Sequence, residues 1–155
     1  MTTELCTYTR NACDIARRTG VERIELCAAP LEGGTTPSAG LIRYARSLPD
    51  LRLSVMIRPR GGDFCYTDDE TALMAEEIRL AREYGADGVV FGLLTPAGEV
   101  DETRTAQLVR DENGRSWFYV IVMDITSLRN TQQELKISEE RYRILTELSE
   151  RIIFE

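Results

Sequence analysis

The sequence predicts an α/β protein built around a parallel β-sheet. From residue 4 to about residue 108, short apolar runs alternate with amphipathic stretches, which is the pattern of repeated βα units. We count four such units, and the fourth apolar run, residues 88–93, is nearly continuous, as expected of a strand covered on both faces. The length of 155 residues is that of one domain, or of one domain with an appendage.

The first two βα units are short. A strand at Glu4–Thr7 precedes a helix that ends at Gly20, and the second strand covers residues 23–27. The first helix has an expected buried stripe with helical spacing, which consists of Ala12, Ile15, Ala16 and Thr19.

The second helix follows a glycine-rich loop. We predict Thr36 as its N-cap, with Pro37 in the first turn, and Pro49 just beyond its end. Its apolar stripe consists of Leu41, Tyr44, Ala45 and Leu48. The third strand is expected at residues 52–57.

The third helix has the clearest start signal in the sequence. Thr67 and Glu70 have the spacing of a capping box, with acidic residues in the first turn, and the helix is expected to end near Gly85. Its stripe consists of Met74, Ile78 and Ala81, widened by Leu73 and Tyr84. After the fourth strand we expect a turn at residues 95–99 and a further helix that begins at Asp101.

The character of the sequence changes at about Val109, which we take as a junction. Residues 111–114 have the composition of a hairpin turn, and residues 117–125 are rich in aromatic and β-branched side chains. From Ser127 onward, apolar residues recur with heptad spacing, which predicts an amphipathic helix able to form a short coiled coil. A parallel sheet of four strands would leave its first and fourth strands as open edges, so we expect either a homodimer or pairing of the 117–125 strand with one edge.

Composition excludes several functional classes. The sequence has no histidine, which rules out histidine-based catalytic triads and histidine-ligated zinc or haem. With 26 acidic and 19 basic residues, we expect neither a nucleic-acid nor a membrane partner. The N-terminus lacks the pattern of an export signal, so we expect a cytoplasmic protein whose four cysteines are reduced.

Cys6 and Cys27 are the strongest candidates for a metal site. Each falls at the end of a predicted strand, and the two strands are one βα unit apart. If these strands are neighbours about 4.8 Å apart, two thiolates could share one soft ion such as Cu(I). The alternative is that both are small buried apolar residues, as we expect for Cys13. Cys65 lies near Arg60 in the sequence, and an arginine can lower the pKa of a nearby thiol. Whether Cys65 is reactive then depends on its exposure.

A second candidate site is the loop Arg58-Pro59-Arg60-Gly61-Gly62-Asp63 after the third strand. Its two guanidinium groups and its Gly61-Gly62 backbone could hold an anion. The alternative is that Asp63 pairs with one arginine and the loop only turns the chain. Strand alternation places Glu25 on the same face as Cys27. No nucleophile–base pair is evident, so the sequence shows no complete catalytic constellation.

Residues 4–108 resemble the N-terminal half of the CutC copper-homeostasis family. The resemblance rests on four segments: Glu4-Leu5-Cys6, Arg23-Ile24-Glu25-Leu26-Cys27, Glu32-Gly33-Gly34-Thr35-Thr36-Pro37-Ser38 and Met56-Ile57-Arg58-Pro59-Arg60-Gly61-Gly62-Asp63-Phe64. It implies a truncated (β/α)8-type barrel of about four βα units and a function in copper binding or handling. It also places Glu25, Arg58, Arg60 and Asp63 in the site of the family.

Residues 110–155 resemble the end of a PAS sensor domain and its linker. The matching segments are residues 111–114, Asp124-Ile125-Thr126 and Ser138-Glu139-Glu140-Arg141-Tyr142-Arg143. We therefore expect a half-barrel at residues 1–108, a PAS-type hairpin at 109–126 and a signalling helix at 127–155. Two alternatives to copper handling follow: a sensory fragment that acts through this helix, and a barrel enzyme acting on a small anionic substrate.

Overall fold

The computed structural model describes residues 3–110, 119–121 and 138. The chain divides into two units, Met1–Met123 and Asp124–Glu155, and the elements below belong to the first. The described strands are β1 (Glu4–Thr7), β2 (Arg23–Leu26), β3 (Arg52–Met56), β4 (Gly88–Val90) and β5 (Tyr119–Ile121). The described helices are α1 (Arg10–Arg18), α2 (Ala39–Ser47), α3 (Asp68–Glu83) and α4 (Glu102–Val109). A short 3-10 turn, Pro30–Glu32, lies between β2 and α2.

The five strands form one sheet in the order β1-β2-β3-β4-β5, and every neighbouring pair is parallel. Each strand is joined to the next by a connection that contains a helix, and each new strand is added at the same edge. This is the arrangement of part of a (β/α)8 barrel. The predicted α/β class and the parallel sheet are therefore confirmed. The predicted second and fourth strands are shorter than expected, because β2 ends at Leu26 and β4 at Val90.

β5 extends the sheet past the junction that we predicted at about Val109. Val89 of β4 pairs with Val120 of β5, in parallel. The expectation that a strand within residues 117–125 covers an open edge is confirmed for Tyr119–Ile121. The predicted hairpin turn at residues 111–114 and the heptad pattern after Ser127 lie outside the described residues, apart from Ser138.

The hydrophobic core lies between the helices and one face of the sheet. Alternate strand residues supply the sheet side of this core: Ile24, Leu26, Leu53, Val55 and Val89. The helices supply the other side: Cys13, Ala16, Ile42, Ala45, Met74, Ile78 and Ala81. The predicted stripe Met74, Ile78 and Ala81 is confirmed, whereas Leu73 is 48% exposed. The period-two pattern of the strands leaves the opposite sheet face free for polar side chains.

Two predictions about the first helices need correction. In α1 the predicted burial of Ala16 is confirmed, but the other buried residue is Cys13, and Ile15 is 42% exposed. The N-cap of α2 is Ser38, whose hydroxyl accepts from the Leu41 amide, and the helix begins two residues after Pro37. Thr36 cannot serve as the cap because its hydroxyl accepts from the Arg58 amide at 2.8 Å and donates to a carboxylate on α3.

The predicted starts of the third and fourth helices are confirmed. The capping box of Thr67 and Glu70 opens α3, with both reciprocal hydrogen bonds present. Asp101 caps α4, and its carboxylate accepts from the Arg104 amide at 3.0 Å. The helices of the described ranges are too short or too polar to cross a membrane.

Candidate metal site

Three potential metal ligands meet at the ends of β1 and β2. Ile24 and Leu26 point into the core, so Glu25 lies on the opposite face of β2. Cys6 of β1 is the register partner of Glu25. Cys27 follows β2 directly, and its amide donates to the Thr7 carbonyl at 2.9 Å, which continues the parallel ladder. Cys27 therefore returns to the face that carries Glu25, as the alternation of the sequence predicted.

The ligand atoms of this cluster are close together. The Sγ atoms of Cys6 and Cys27 are 3.6 Å apart, and together with a Glu25 carboxylate oxygen they lie within 4.8 Å of one another. Cys6 is exposed, Glu25 is half-buried and Cys27 is only 1% exposed. The cluster therefore runs from the surface into the protein, and its innermost atom is a sulfur.

The electrostatics of the cluster disfavour negative charge in the absence of a cation. Burial raises the pKa of the Cys27 thiol, and Cys6 and Glu25 raise it further. Burial also raises the pKa of Glu25, with a smaller contribution from Glu4, while a hydrogen bond with Cys6 acts in the opposite direction. A bound cation would relieve both effects, since it favours the ionised forms that ligate it.

The donor set fits a soft monovalent or divalent ion. Metal–sulfur bonds of about 2.3 Å allow one ion to bridge sulfurs up to about 4.6 Å apart. The 3.6 Å separation of Cys6 and Cys27 lies within that span. Thiolates select Cu(I) and zinc, whereas a carboxylate is a harder ligand that suits many cations. The proximity of Cys6 and Cys27 is confirmed, and their binding of copper stays a prediction.

Tyr8 is a residue of this cluster that the sequence analysis missed. A hydrogen bond with Cys6 and, to a smaller extent, burial raise the pKa of Tyr8 to about 12. The hydroxyl therefore keeps its proton and can donate to a thiolate. The signal was present in the sequence, because Tyr8 is two residues after Cys6 and strand alternation places such residues on one face.

The Arg58 guanidinium is buried and bonded to the backbone of two loops. Nη1 donates to the carbonyls of Glu32 at 2.6 Å and Gly34 at 2.9 Å, and Nη2 donates to the carbonyl of Gly62 at 2.8 Å. The guanidinium also lies 4.6 Å from the centre of the Phe64 ring. Arg58 thus joins the loop after β2 to the loop after β3.

Arg60 is likewise engaged with its own loop and the start of α3. Its Nε donates to the Glu70 carboxylate at 2.6 Å, and Nη1 donates to Asp63 Oδ1 at 3.1 Å. Nη2 donates to the Cys65 carbonyl at 2.9 Å, and the group lies 5.0 Å from the Tyr66 ring centre. The pairing of Asp63 with an arginine is therefore present, and it uses donors that an anion would need.

The glycines of this loop make room for neighbouring groups of the chain. A Cβ on Gly61 would lie 1.9 Å from a carboxylate oxygen of Glu32, so any larger residue there would require the Glu32 side chain to move. Gly62 has φ of +83°, a conformation that glycine adopts readily. The structure thus brings Arg58, Gly61 and Gly62 together, but it places Glu25 with the thiols.

The two remaining cysteines occupy separate positions. Cys13 is fully buried in the core, as predicted, and its sulfur lies 3.8 Å from the Thr7 hydroxyl. Cys65 is half-buried, and its thiol donates to the Thr95 carbonyl at 3.2 Å. Neither belongs to the cluster of Cys6, Glu25 and Cys27.

The chain matches the model of the CutC family over residues 1–148. A family protein CutC from Porphyromonas gingivalis is 40% identical over 146 residues, which cover 94% of this chain and 59% of that protein. A family protein CutC from Salmonella paratyphi B is 50% identical over 106 residues, which cover 68% of this chain and 43% of that protein. The chain spans about half the length of the curated relatives it matches.

A solved structure shows the same similarity at the level of the fold. It is the crystal structure of a candidate copper homeostasis protein, CutC, from Streptococcus agalactiae. The TM-score is 0.71 at 33% sequence identity, and the alignment covers 79% of this chain and 58% of that one. The partial barrel that the strand order indicates is consistent with this neighbour.

These comparisons correct one part of the sequence analysis. The CutC match continues to residue 148 and so includes most of the segment that we compared with a PAS sensor domain. The comparisons give no support to a PAS fusion or to a signalling role. The parallel pairing of β5 with β4 agrees with this correction, because it continues the βα pattern of the preceding residues. The chain therefore belongs to the CutC family.

Proposed function

We propose that this chain binds Cu(I) as its cargo in the cytoplasm, through the thiolates of Cys6 and Cys27 with Glu25 beside them. The observation that supports this proposal is the 3.6 Å separation of the two sulfurs. The name of the Streptococcus agalactiae neighbour, a candidate copper homeostasis protein, points to the same metal.

The chemistry of the cluster favours a soft ion. Two thiolates are the ligands that Cu(I) prefers, and the Glu25 carboxylate can accept a proton that the thiols release. Because burial holds the pKa of Cys27 high, metal binding there releases a proton. Copper affinity should therefore rise with pH over the range in which the thiols must ionise.

The difference in exposure between the two thiols supports handling rather than permanent storage. Cys6 is exposed and Cys27 is buried, so an incoming ion meets Cys6 first. Ligand exchange with another thiol can begin at Cys6 while Cys27 retains the metal. We propose that copper enters and leaves by this route.

The loop of Arg58 and Arg60 has a supporting role in this proposal. The Arg58 guanidinium donates to the Gly34 carbonyl, and Gly34 packs against Cys27. The loop thereby holds the backbone that covers the buried thiol. β1 is an edge strand of the described sheet, and a second copy of the chain is the partner that we propose for this edge.

An anaerobic Cu(I) titration against a chromogenic Cu(I) chelator tests the proposal. We expect the wild-type chain to take up one equivalent, and a Cys6→Ser, Cys27→Ser double variant to bind at least about 100-fold more weakly. A Cys65→Ser variant is the matched control, because it removes a thiol outside the cluster. Equal affinity of the double variant and the wild type would contradict the proposal.

A further inference from the structure

Met56 lies beside the metal cluster on the neighbouring strand. Glu25 of β2 pairs in register with Ser54 of β3, and Leu26 pairs with Val55. The next position along the two strands therefore brings Cys27 alongside Met56. Val55 is fully buried in the core, so Met56 points to the opposite face, which is the face of the cluster. Met56 is half-buried there.

Gly34 reveals how the two sulfur-bearing side chains approach each other. A Cβ built on Gly34 would lie 3.5 Å from the Sγ of Cys27 and 3.8 Å from the terminal methyl carbon of Met56. Gly34 has no such atom, so the two side chains border one small space. The position is fixed by the Ala28–Thr35 backbone pair and by the hydrogen bond from Arg58 to the Gly34 carbonyl.

We propose that the Met56 thioether is a third sulfur ligand, which completes a Cu(I) site with Cys6 and Cys27. This inference rests on the proposed function and adds a ligand to it. The methionine side chain has three rotatable bonds, so its sulfur can turn into the space beside Gly34. The binding step breaks no covalent bond apart from the release of thiol protons.

A thioether suits this position for electrostatic reasons. The surroundings of Cys27 and Glu25 already disfavour negative charge, and a third thiolate or carboxylate would increase that penalty. Methionine adds a donor without adding charge and without a proton to lose. Thioether sulfur is also a soft ligand, so it favours Cu(I) over harder ions. Met56 would therefore raise selectivity for Cu(I) as well as affinity.

The test compares two methionine substitutions in the full chain. Met56→Leu keeps the volume and apolar character of the side chain but removes its sulfur. We expect it to weaken Cu(I) binding at least about tenfold in the anaerobic chelator competition, with Zn²⁺ affinity unchanged. Met74→Leu is the matched control, because Met74 is fully buried in the core on α3.

A spectroscopic measurement on the unmutated sequence makes the test independent of folding. With selenomethionine in place of methionine, X-ray absorption at the copper edge should show a selenium neighbour in the wild type, and none in Met56→Leu. Wild-type Cu(I) affinity in Met56→Leu, together with no selenium neighbour, would overturn the inference and leave the two-thiolate site standing. Failure of the wild type to bind Cu(I) more tightly than the double cysteine variant would overturn the proposed function itself.

Discussion

The thiol cluster and the arginine loop both lie at the carboxyl ends of parallel strands, yet the polar groups of the two regions have different partners. In the cluster, the sulfurs of Cys6 and Cys27 face each other across 3.6 Å. In the loop, Arg58 and Arg60 donate to carbonyls and carboxylates of their own chain. Residue types that look equally suited to binding in the sequence therefore differ in how far their polar atoms are already bonded to other groups of the chain.

The difference has its origin in the backbone around each region. Strands satisfy their own amides and carbonyls through the ladder, so side chains such as Cys6 and Glu25 are not needed for that purpose. Loops have no ladder, and a buried loop carbonyl needs another donor. Arg58 supplies that donor for Glu32, Gly34 and Gly62. A polar side chain on a strand is thus a better candidate ligand than one in a buried loop.

The largest effect that we predict is the loss of stability when Arg58 is replaced. Arg58→Met leaves three carbonyls without their donor, and each unpaired buried group costs about 1–3 kcal/mol. We expect the free energy of unfolding, measured by urea denaturation at pH 7, to fall by at least about 3 kcal/mol. Arg60→Met should lose much less, since Arg60 is 37% exposed. Equal losses in the free energy of unfolding for the two variants would contradict the expectation that the buried arginine contributes more to stability than the exposed one.

A smaller effect should distinguish the cluster by its pH dependence. The pKa of Cys27 is raised in the folded chain above its ordinary value of 9.0, mainly by burial. Its stabilising contribution is therefore complete below about pH 9 and is lost as the pH rises above that value, because only the unfolded thiol ionises readily. We expect the urea midpoint of the wild type, without metal, to decline from pH 8 to pH 10.

Cys27→Ser should make that decline less steep. Cys13, Tyr8 and Tyr66 also have raised pKa values, so part of the decline should remain in the variant. Parallel curves for Cys27→Ser and the wild type would show that the Cys27 thiol does not titrate differently in the two states. The measurement needs a reducing, metal-free buffer, since a bound ion would ionise the thiol.

The smallest effect concerns Glu25. Burial and Glu4 raise its pKa, so its stabilising contribution is complete below its ordinary value of 4.5 and is lost as the pH rises through the folded pKa. Replacing Glu25 by Gln should therefore raise the free energy of unfolding, relative to the wild type, more at pH 7 than at pH 4. We expect this difference to be less than about 1 kcal/mol. Glu76→Gln is the opposite case, because Arg79 lowers the pKa of Glu76. A gain at pH 7 in both variants would point to a general effect of net charge.

Much of the fold was predictable because its signals are local. The alternation of short apolar runs and amphipathic stretches identified β1 to β4 in order, and Thr67 with Glu70 identified the start of α3. The cap of α2 was not predictable, because Thr36 is occupied by Arg58 and by Glu77, which is 41 residues away in the chain. Local capping rules assume that the hydroxyl is free, and only the packed structure shows that it is not.

The sequence by itself determined the α/β class, the parallel sheet and the shared face of Glu25 and Cys27, whereas the strand order and the position of Cys6 opposite Glu25 came from the structure. The features that the sequence determined follow from period-two and helical spacing, which depend on backbone geometry alone. Only the tertiary structure decided that the sulfurs approach to 3.6 Å, that Arg58 is engaged by distant carbonyls and that Gly34 joins Cys27 to Met56. The physical reason is that these contacts join residues distant in the chain, whose meeting depends on how the whole core packs.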